Sequence, residues 1–63
     1  MTLKQLEQKM ETARKYGVAQ LDDCILYYFS DGNKYFSLQH FDGTYWQTVA
    51  TGYSIKQFDF LVD

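Results

Sequence analysis

Apolar positions in the first sixteen residues recur at intervals of three and four, which places them on one face of a helix. Thr2 and Gln5 have the spacing of a capping box at its start. Gly17 follows the last periodic residue, where glycine most easily takes the left-handed conformation that ends a helix. The pattern predicts an amphipathic helix over residues 2–16, whose apolar face consists of Leu3, Leu6, Met10 and Ala13.

After a connector at residues 18–23, runs rich in branched and aromatic side chains predict three strands. Two Asp-Gly dipeptides separate these runs, and such dipeptides are typical of hairpin turns because glycine readily adopts a positive φ. The chain therefore predicts an antiparallel β-meander with strands at residues 24–30, 34–41 and 44–51.

The lengths of the two turns decide which side chains share a face of this meander. With two-residue turns, Tyr27 lies opposite Phe36, Tyr28 opposite Tyr35, Phe36 opposite Val49 and Gln39 opposite Trp46. The more apolar face, which should receive the helix, then holds Ile25, Tyr27, Phe29, Phe36, Leu38, Tyr45 and Val49. The second face holds Cys24, Leu26, Tyr28, Tyr35, Ser37, Gln39, Trp46 and Thr48. A three-residue second turn with a glycine bulge would move Trp46 to the core face, and the sequence leaves this alternative open.

Residues 52–63 fit two patterns. Ser54 and Gln57 have capping-box spacing ahead of a short helix, whereas Phe58, Phe60 and Val62 alternate as in a strand. A short helix or turn over one sheet edge is the favoured interpretation. The expected fold is one α+β domain over residues 1–63, with an N-terminal helix packed on a three-stranded antiparallel β-meander and a short C-terminal helix or strand.

Composition limits the function classes. The net charge of −2 argues against a general nucleic-acid or membrane-surface binder, which would carry a basic patch. No apolar run approaches the roughly 20 residues that span a bilayer. A single cysteine in 63 residues excludes an internal disulfide, and with no targeting segment recognised it predicts a cytoplasmic protein.

The sequence offers no catalytic constellation. In the expected register His40 and Cys24 point to opposite faces, so they cannot form a nucleophile–base pair. Asp31 and Asp42 are explained as turn residues. The His, Cys and Asp positions have no metal-ligand spacing, and the glycines form no phosphate loop. We therefore predict no enzyme activity, no cofactor and no metal.

A single helix covers only one face of a sheet, so rings on the second face are the best candidate contacts. They stay open unless residues 53–62 fold over them. The part of the chain after the helix is also acidic, with two lysines against six aspartates in residues 17–63, a balance of −4. The predicted partner-binding residues are Leu26, Tyr28, Tyr35, Trp46, Asp22, Asp23, Asp31 and Asp42.

This profile of a compact, acidic single domain resembles the small phage-encoded inhibitors of host defence, such as anti-CRISPR proteins. The resemblance covers the whole chain as a profile and assigns no residue a role. It implies a protein-binding module in the host cytosol that occludes a basic, nucleic-acid-binding surface of a CRISPR effector.

Two other function classes stay open. A nucleic-acid-binding domain is disfavoured by the charge, although double-stranded-RNA-binding domains share the element order. A self-associating subunit, as a homodimer, could pair through the exposed face or through the edge strand at 44–51.

Overall fold

The computed structural model describes all residues from Met1 to Asp63. Its elements are α1 (Leu3–Tyr16), β1 (Val18–Leu21), β2 (Cys24–Phe29), β3 (Tyr35–Phe41), β4 (Trp46–Gly52) and a C-terminal 3-10 helix (Ile55–Leu61). The strands form one antiparallel sheet in the order β1-β2-β3-β4. The α+β class and the N-terminal helix are confirmed, but the sheet has four strands rather than three. No helix is both long and apolar enough to cross a membrane.

Local hydrogen bonds define both ends of α1 as the sequence predicts. The backbone N–H of Gln5 donates to Thr2 Oγ1 at 3.1 Å, and the backbone N–H of Thr2 donates to Gln5 Oε1 at 2.9 Å. Gly17 has a left-handed φ of 87° and donates its N–H to the Ala13 carbonyl at 2.7 Å. The buried face of α1 consists of Leu6, Met10 and Ala13, whereas Leu3 is half exposed.

Residues 18–21, expected to be part of a connector, form the first strand instead. Val18 pairs with Tyr27 and Leu21 with Cys24, and a two-residue turn of Asp22 and Asp23 joins β1 to β2. Exposed and buried residues alternate along β1, and the buried ones are Ala19 and Leu21. The small apolar surface of Ala19 gives this strand a weak signal in the sequence.

The connection between β2 and β3 is longer than the expected two-residue turn. Phe29 pairs with Tyr35 and Tyr28 with Phe36, which leaves the five residues 30–34 as the loop. This register differs by one residue from the expected one, in which Tyr27 faced Phe36. Because side chains alternate with a period of two, the shift turns β2 over and exchanges its two faces. The predicted face assignment of β2 is therefore wrong.

The connection between β3 and β4 differs from the expected one by two residues. Phe41 pairs with Trp46 and Gln39 with Thr48, so the loop comprises residues 42–45. Between the loop and Gln39 this shift of two leaves the side chains on their expected faces, so Trp46 remains on the face away from the helix. Beyond Gln39 a β-bulge adds Val49, so that Phe36 lies opposite Gly52 rather than Val49.

Both helices pack on the same face of the sheet, which we call the covered face. Phe58 of the 3-10 helix is fully buried, and its ring meets the Phe36 ring edge-on at a centroid distance of 6.2 Å. The sequence prediction of a C-terminal helix or turn is confirmed in the 3-10 form. The single core comprises Leu6, Met10, Ala13, Ala19, Leu21, Leu26, Phe36, Leu38 and Phe58.

Candidate functional site

The opposite side of the sheet, which we call the open face, has no element packed on it and carries five aromatic rings. Phe29 stacks on Tyr35 at 5.1 Å between ring centroids and lies 6.2 Å from Tyr27. Phe41 and Trp46 form a second pair at 5.2 Å. Phe29, Phe41 and Trp46 are each 44–51% exposed. The five rings come from three strands, so their positions are fixed by the sheet.

Alternation along β3 explains this arrangement. Phe36 and Leu38 are buried on the covered face, which directs Tyr35, Gln39 and Phe41 to the open face. The Gln39 side chain donates from Nε2 to Ser37 Oγ at 2.6 Å and to Thr48 Oγ1 at 2.9 Å. The bond to Thr48 connects β3 to β4, whereas the bond to Ser37 lies within β3. Beside Gln39 lies a shallow groove of about 270 Å³ lined by Tyr27, Phe29, Gln39 and Trp46.

The predicted aromatic contacts are divided between the two faces. Tyr35 and Trp46 lie on the open face as expected. Leu26 is fully buried, and Tyr28 packs beside Phe36 at 4.7 Å on the covered face. The longer β2–β3 loop places these two residues on the side of the helices, so their assignment to the second face is wrong.

Three open-face rings were not predicted to be contacts. Tyr27 and Phe29 were expected in the core, and Phe41 was not singled out. The length of the β2–β3 loop is the one feature that would have identified Tyr27 and Phe29.

Three of the four predicted acidic contacts gather at one end of the sheet. Asp22 and Asp23 form the β1–β2 turn and Asp42 begins the β3–β4 loop, and in an antiparallel meander these two connections lie at the same end. Asp31 lies in the β2–β3 loop at the opposite end. All four are exposed. We call Asp22, Asp23 and Asp42 the acidic end.

Asp42 is held in its ionised form by the loop that it begins. Its Oδ1 accepts from the backbone N–H groups of Thr44 and Tyr45 at 2.8 Å each, and Oδ2 accepts from Gln47 Nε2 at 2.6 Å. The backbone hydrogen bonds from Tyr45 and then Thr44 lower the pKa of Asp42 below its ordinary value. The acidic end therefore keeps this charge even in mildly acidic solution.

Cys24 and His40 are direct partners across β2 and β3, so the expectation that they point to opposite faces is wrong. Asp23 contacts both: Cys24 Sγ donates to Asp23 Oδ1 at 3.5 Å, and His40 Nε2 lies 3.4 Å from Asp23 Oδ2. Desolvation first, then the hydrogen bond to Asp23 and the charges of Asp23 and Asp22, raise the pKa of the Cys24 thiol. A reactive nucleophile requires the opposite shift, because the thiolate is the attacking form.

No three or more His, Cys, Asp or Glu side chains are arranged to hold a metal ion.

We expect Cys24 to react with iodoacetamide more slowly than free cysteine at about pH 8, because its raised pKa leaves less thiolate. Asp23→Asn should accelerate the reaction, since it removes a negative charge beside the sulfur. Asp31→Asn changes the same charge at the far end of the sheet and should leave the rate unchanged. Mass spectrometry of the alkylated protein over time measures all three rates. A wild-type rate above that of free cysteine would contradict this account and indicate an activated thiol.

The candidate site thus combines the five rings of the open face with the acidic end of the sheet. No protein-family model, curated protein or solved structure matches the chain.

Proposed function

We propose that this chain is a non-enzymatic protein-binding module whose open face docks on a basic surface of another protein. The observation that carries the proposal is that both helices lie on the covered face, which leaves five rings from three strands without a covering element. Phe29, Phe41 and Trp46 are exposed, and Tyr27 and Tyr35 are half-buried. Exposed aromatic clusters of this kind usually mark association sites, and tyrosine and tryptophan are enriched among residues that dominate binding energy.

Charge selects the kind of partner. The acidic end places three carboxylates at one end of the sheet that carries the rings. Complementary charge accelerates encounter and fixes orientation on a basic surface. Direct binding of nucleic acid is disfavoured, because four of the six basic residues lie on α1. The three strands β2, β3 and β4 contain no lysine or arginine. Arg14, for example, lies over the Phe36 ring on the covered face at 5.1 Å.

The proposed action is occlusion of a surface on which a CRISPR-type effector holds nucleic acid. Occlusion requires area and rigidity rather than catalysis. The molecule measures 32 × 30 × 18 Å. The area of its broad side is therefore of the same order as the roughly 800 Å² that each partner contributes to a standard interface. Rings held by a sheet lose little freedom on binding, which lowers the entropic cost of association.

Self-association is the alternative suggested by β4, an edge strand of seven residues without a charged side chain. The bulge at Val49 interrupts the regular pairing of this strand and makes it a poorer template for a second copy. The proposal therefore places the partner on the open face rather than at the edge.

A phage-protection assay tests the proposal. We expect the chain, expressed in bacteria whose CRISPR systems target a phage, to restore plaque formation against at least one effector type. Combining Phe29→Ala with Trp46→Ala should abolish this protection of the phage, because the variant lacks both rings on the open face.

The matched control is Tyr16→Ala with Phe60→Ala, which removes two exposed rings from the helices. This variant should protect as well as wild type. Light scattering of each purified protein separates partner binding from self-association. Protection that survives loss of the open-face rings, or a panel in which no effector is inhibited, would refute the proposal.

A further inference from the structure

The groove on the open face combines aromatic walls with one amide group. Tyr27 and Phe29 belong to β2 and Trp46 to β4, while Gln39 lies on β3 between these strands. Aromatic faces carry negative charge density and attract cations within about 6 Å of the ring centroid. A guest that fills this groove would therefore gain from being both flat and positively charged.

Gln39 adds a requirement for a hydrogen-bond donor. Its two amide protons are used by Ser37 and Thr48, whereas its Oε1 makes no hydrogen bond within the chain. A guest without a donor would take this carbonyl out of water and leave it unpaired, which costs binding energy. A guest that carries N–H groups in its plane can stack on the rings and donate to Oε1 at the same time.

Charge around the groove favours a cation. The three strands that form it contain no lysine or arginine, so an incoming cation meets no like charge there. The acidic end lies at one end of the same strands. Its Asp42 stays ionised because backbone amides hold its carboxylate. His40, the one side chain of β3 that can become cationic, belongs to the covered face and contacts Asp23.

We infer that this groove binds an arginine side chain of the partner. The inference rests on the proposed function and specifies the group that the open face recognises. Arginine fits better than lysine because the planar guanidinium stacks on rings and donates several N–H bonds in its plane, whereas an ammonium group is a compact, strongly hydrated point charge. The acidic end supplies the longer-range attraction and the groove supplies the preference for arginine.

Three capped peptides of one design test the inference: Gly-Arg-Gly-Arg-Gly and its counterparts with lysine or citrulline in place of arginine. Trp46 is the one tryptophan of the chain, so its fluorescence reports on the groove directly. We expect the arginine peptide to change this fluorescence and to bind about three- to fivefold more tightly than the lysine peptide. Citrulline, which keeps the shape but loses the charge, should bind more weakly than arginine.

Two variants locate the preference. Gln39→Leu removes the acceptor and should reduce the arginine-to-lysine ratio toward one, whereas Gln39→Glu should keep the ratio or raise it. Circular dichroism melts confirm that both variants fold. Equal binding of the arginine and lysine peptides to the wild type would overturn the inference, because it would indicate a simple point-charge attraction. Tighter binding of AMP than of the arginine peptide would also overturn it, in favour of base stacking.

These results can be separated from the phage assay. If effector inhibition requires Phe29 and Trp46 but the arginine and lysine peptides bind with equal affinity, the proposed docking face is supported and the arginine site is refuted. If the arginine peptide binds more tightly but no effector is inhibited, the arginine site is supported and the proposed function is refuted.

Discussion

Replacing Phe58 with alanine should remove a large part of the free energy of unfolding of the protein. Phe58 is fully buried and packs edge-on against Phe36 at 6.2 Å. Truncating a buried phenylalanine costs about 3–5 kcal/mol, since transfer energy is lost and a cavity remains. At typical stability per residue, a domain of 63 residues has a free energy of unfolding of about 3–9 kcal/mol. The loss is therefore about one third to all of the free energy of unfolding, and urea denaturation followed by circular dichroism should show a midpoint far below that of the wild type.

Phe60→Ala is the matched control, because it removes the same ring two residues further along the same helix. Phe60 is 56% exposed, so its removal should change the free energy of unfolding by less than about 1 kcal/mol. Equal losses for the two variants would show that the 3-10 helix does not pack through Phe58. This packing matters for function because a helix held on the covered face cannot shield the rings of the open face.

The helices could be predicted from the sequence because their signals are local. Thr2, Gln5 and Gly17 define the ends of α1 within a single short segment. Ser54 and Gln57 do the same for the start of the 3-10 helix, where the strand-like alternation of the same residues left the interpretation divided. Capping hydrogen bonds join residues a few positions apart, so their spacing can be recognised without knowing the rest of the fold.

The faces of the sheet depend on loop lengths, which the Asp-Gly signal does not determine. The β2–β3 loop differs from the expected one by an odd number of residues, so Leu26 and Tyr28 exchange faces with Tyr27 and Phe29. The β3–β4 loop is longer than the expected turn by an even number of residues, so Trp46 stays on its expected face. The faces of Tyr35 and Trp46 were thus predictable, whereas those of Tyr27 and Phe29 were not, and the parity of each loop-length error explains the difference.

The same one-residue difference hid the contact of Cys24 with His40. In the expected register Cys24 lies opposite Gln39, whereas in the structure it lies opposite His40 and both side chains meet Asp23. Residue types alone could not indicate this cluster, because its members come from β2, from β3 and from the turn between β1 and β2. The raised pKa of Cys24 then follows from burial and from its acidic neighbours.

Gly52→Ala should destabilise the protein by about 1–3 kcal/mol, the usual cost of overpacking a filled site. Gly52 is buried in β4, and a Cβ placed there would lie 2.7 Å from Gln57 Cγ and 2.8 Å from its Oε1, with Gln57 Cβ nearer still. Gln57 is held in place because Oε1 accepts from the backbone N–H groups of Tyr53 at 3.1 Å and Ser54 at 2.8 Å. An added methyl group would displace this cap and loosen the helix that carries Phe58.

The sign of this effect is diagnostic. The positive-φ glycines are Gly17, Gly32 and Gly43, so Gly52 has a backbone that alanine can adopt. At such a position alanine normally stabilises by about 0.4–1 kcal/mol, because it restricts the unfolded chain. A loss measured by urea denaturation therefore reports the collision with Gln57, and adding Gln57→Gly to Gly52→Ala should recover part of it. Thr51→Ala, at the exposed neighbouring position, should change little. If Gly52→Ala is neutral or stabilising, Gln57 does not fill the space beside β4, and the attachment of the C-terminal helix to the covered face must be different.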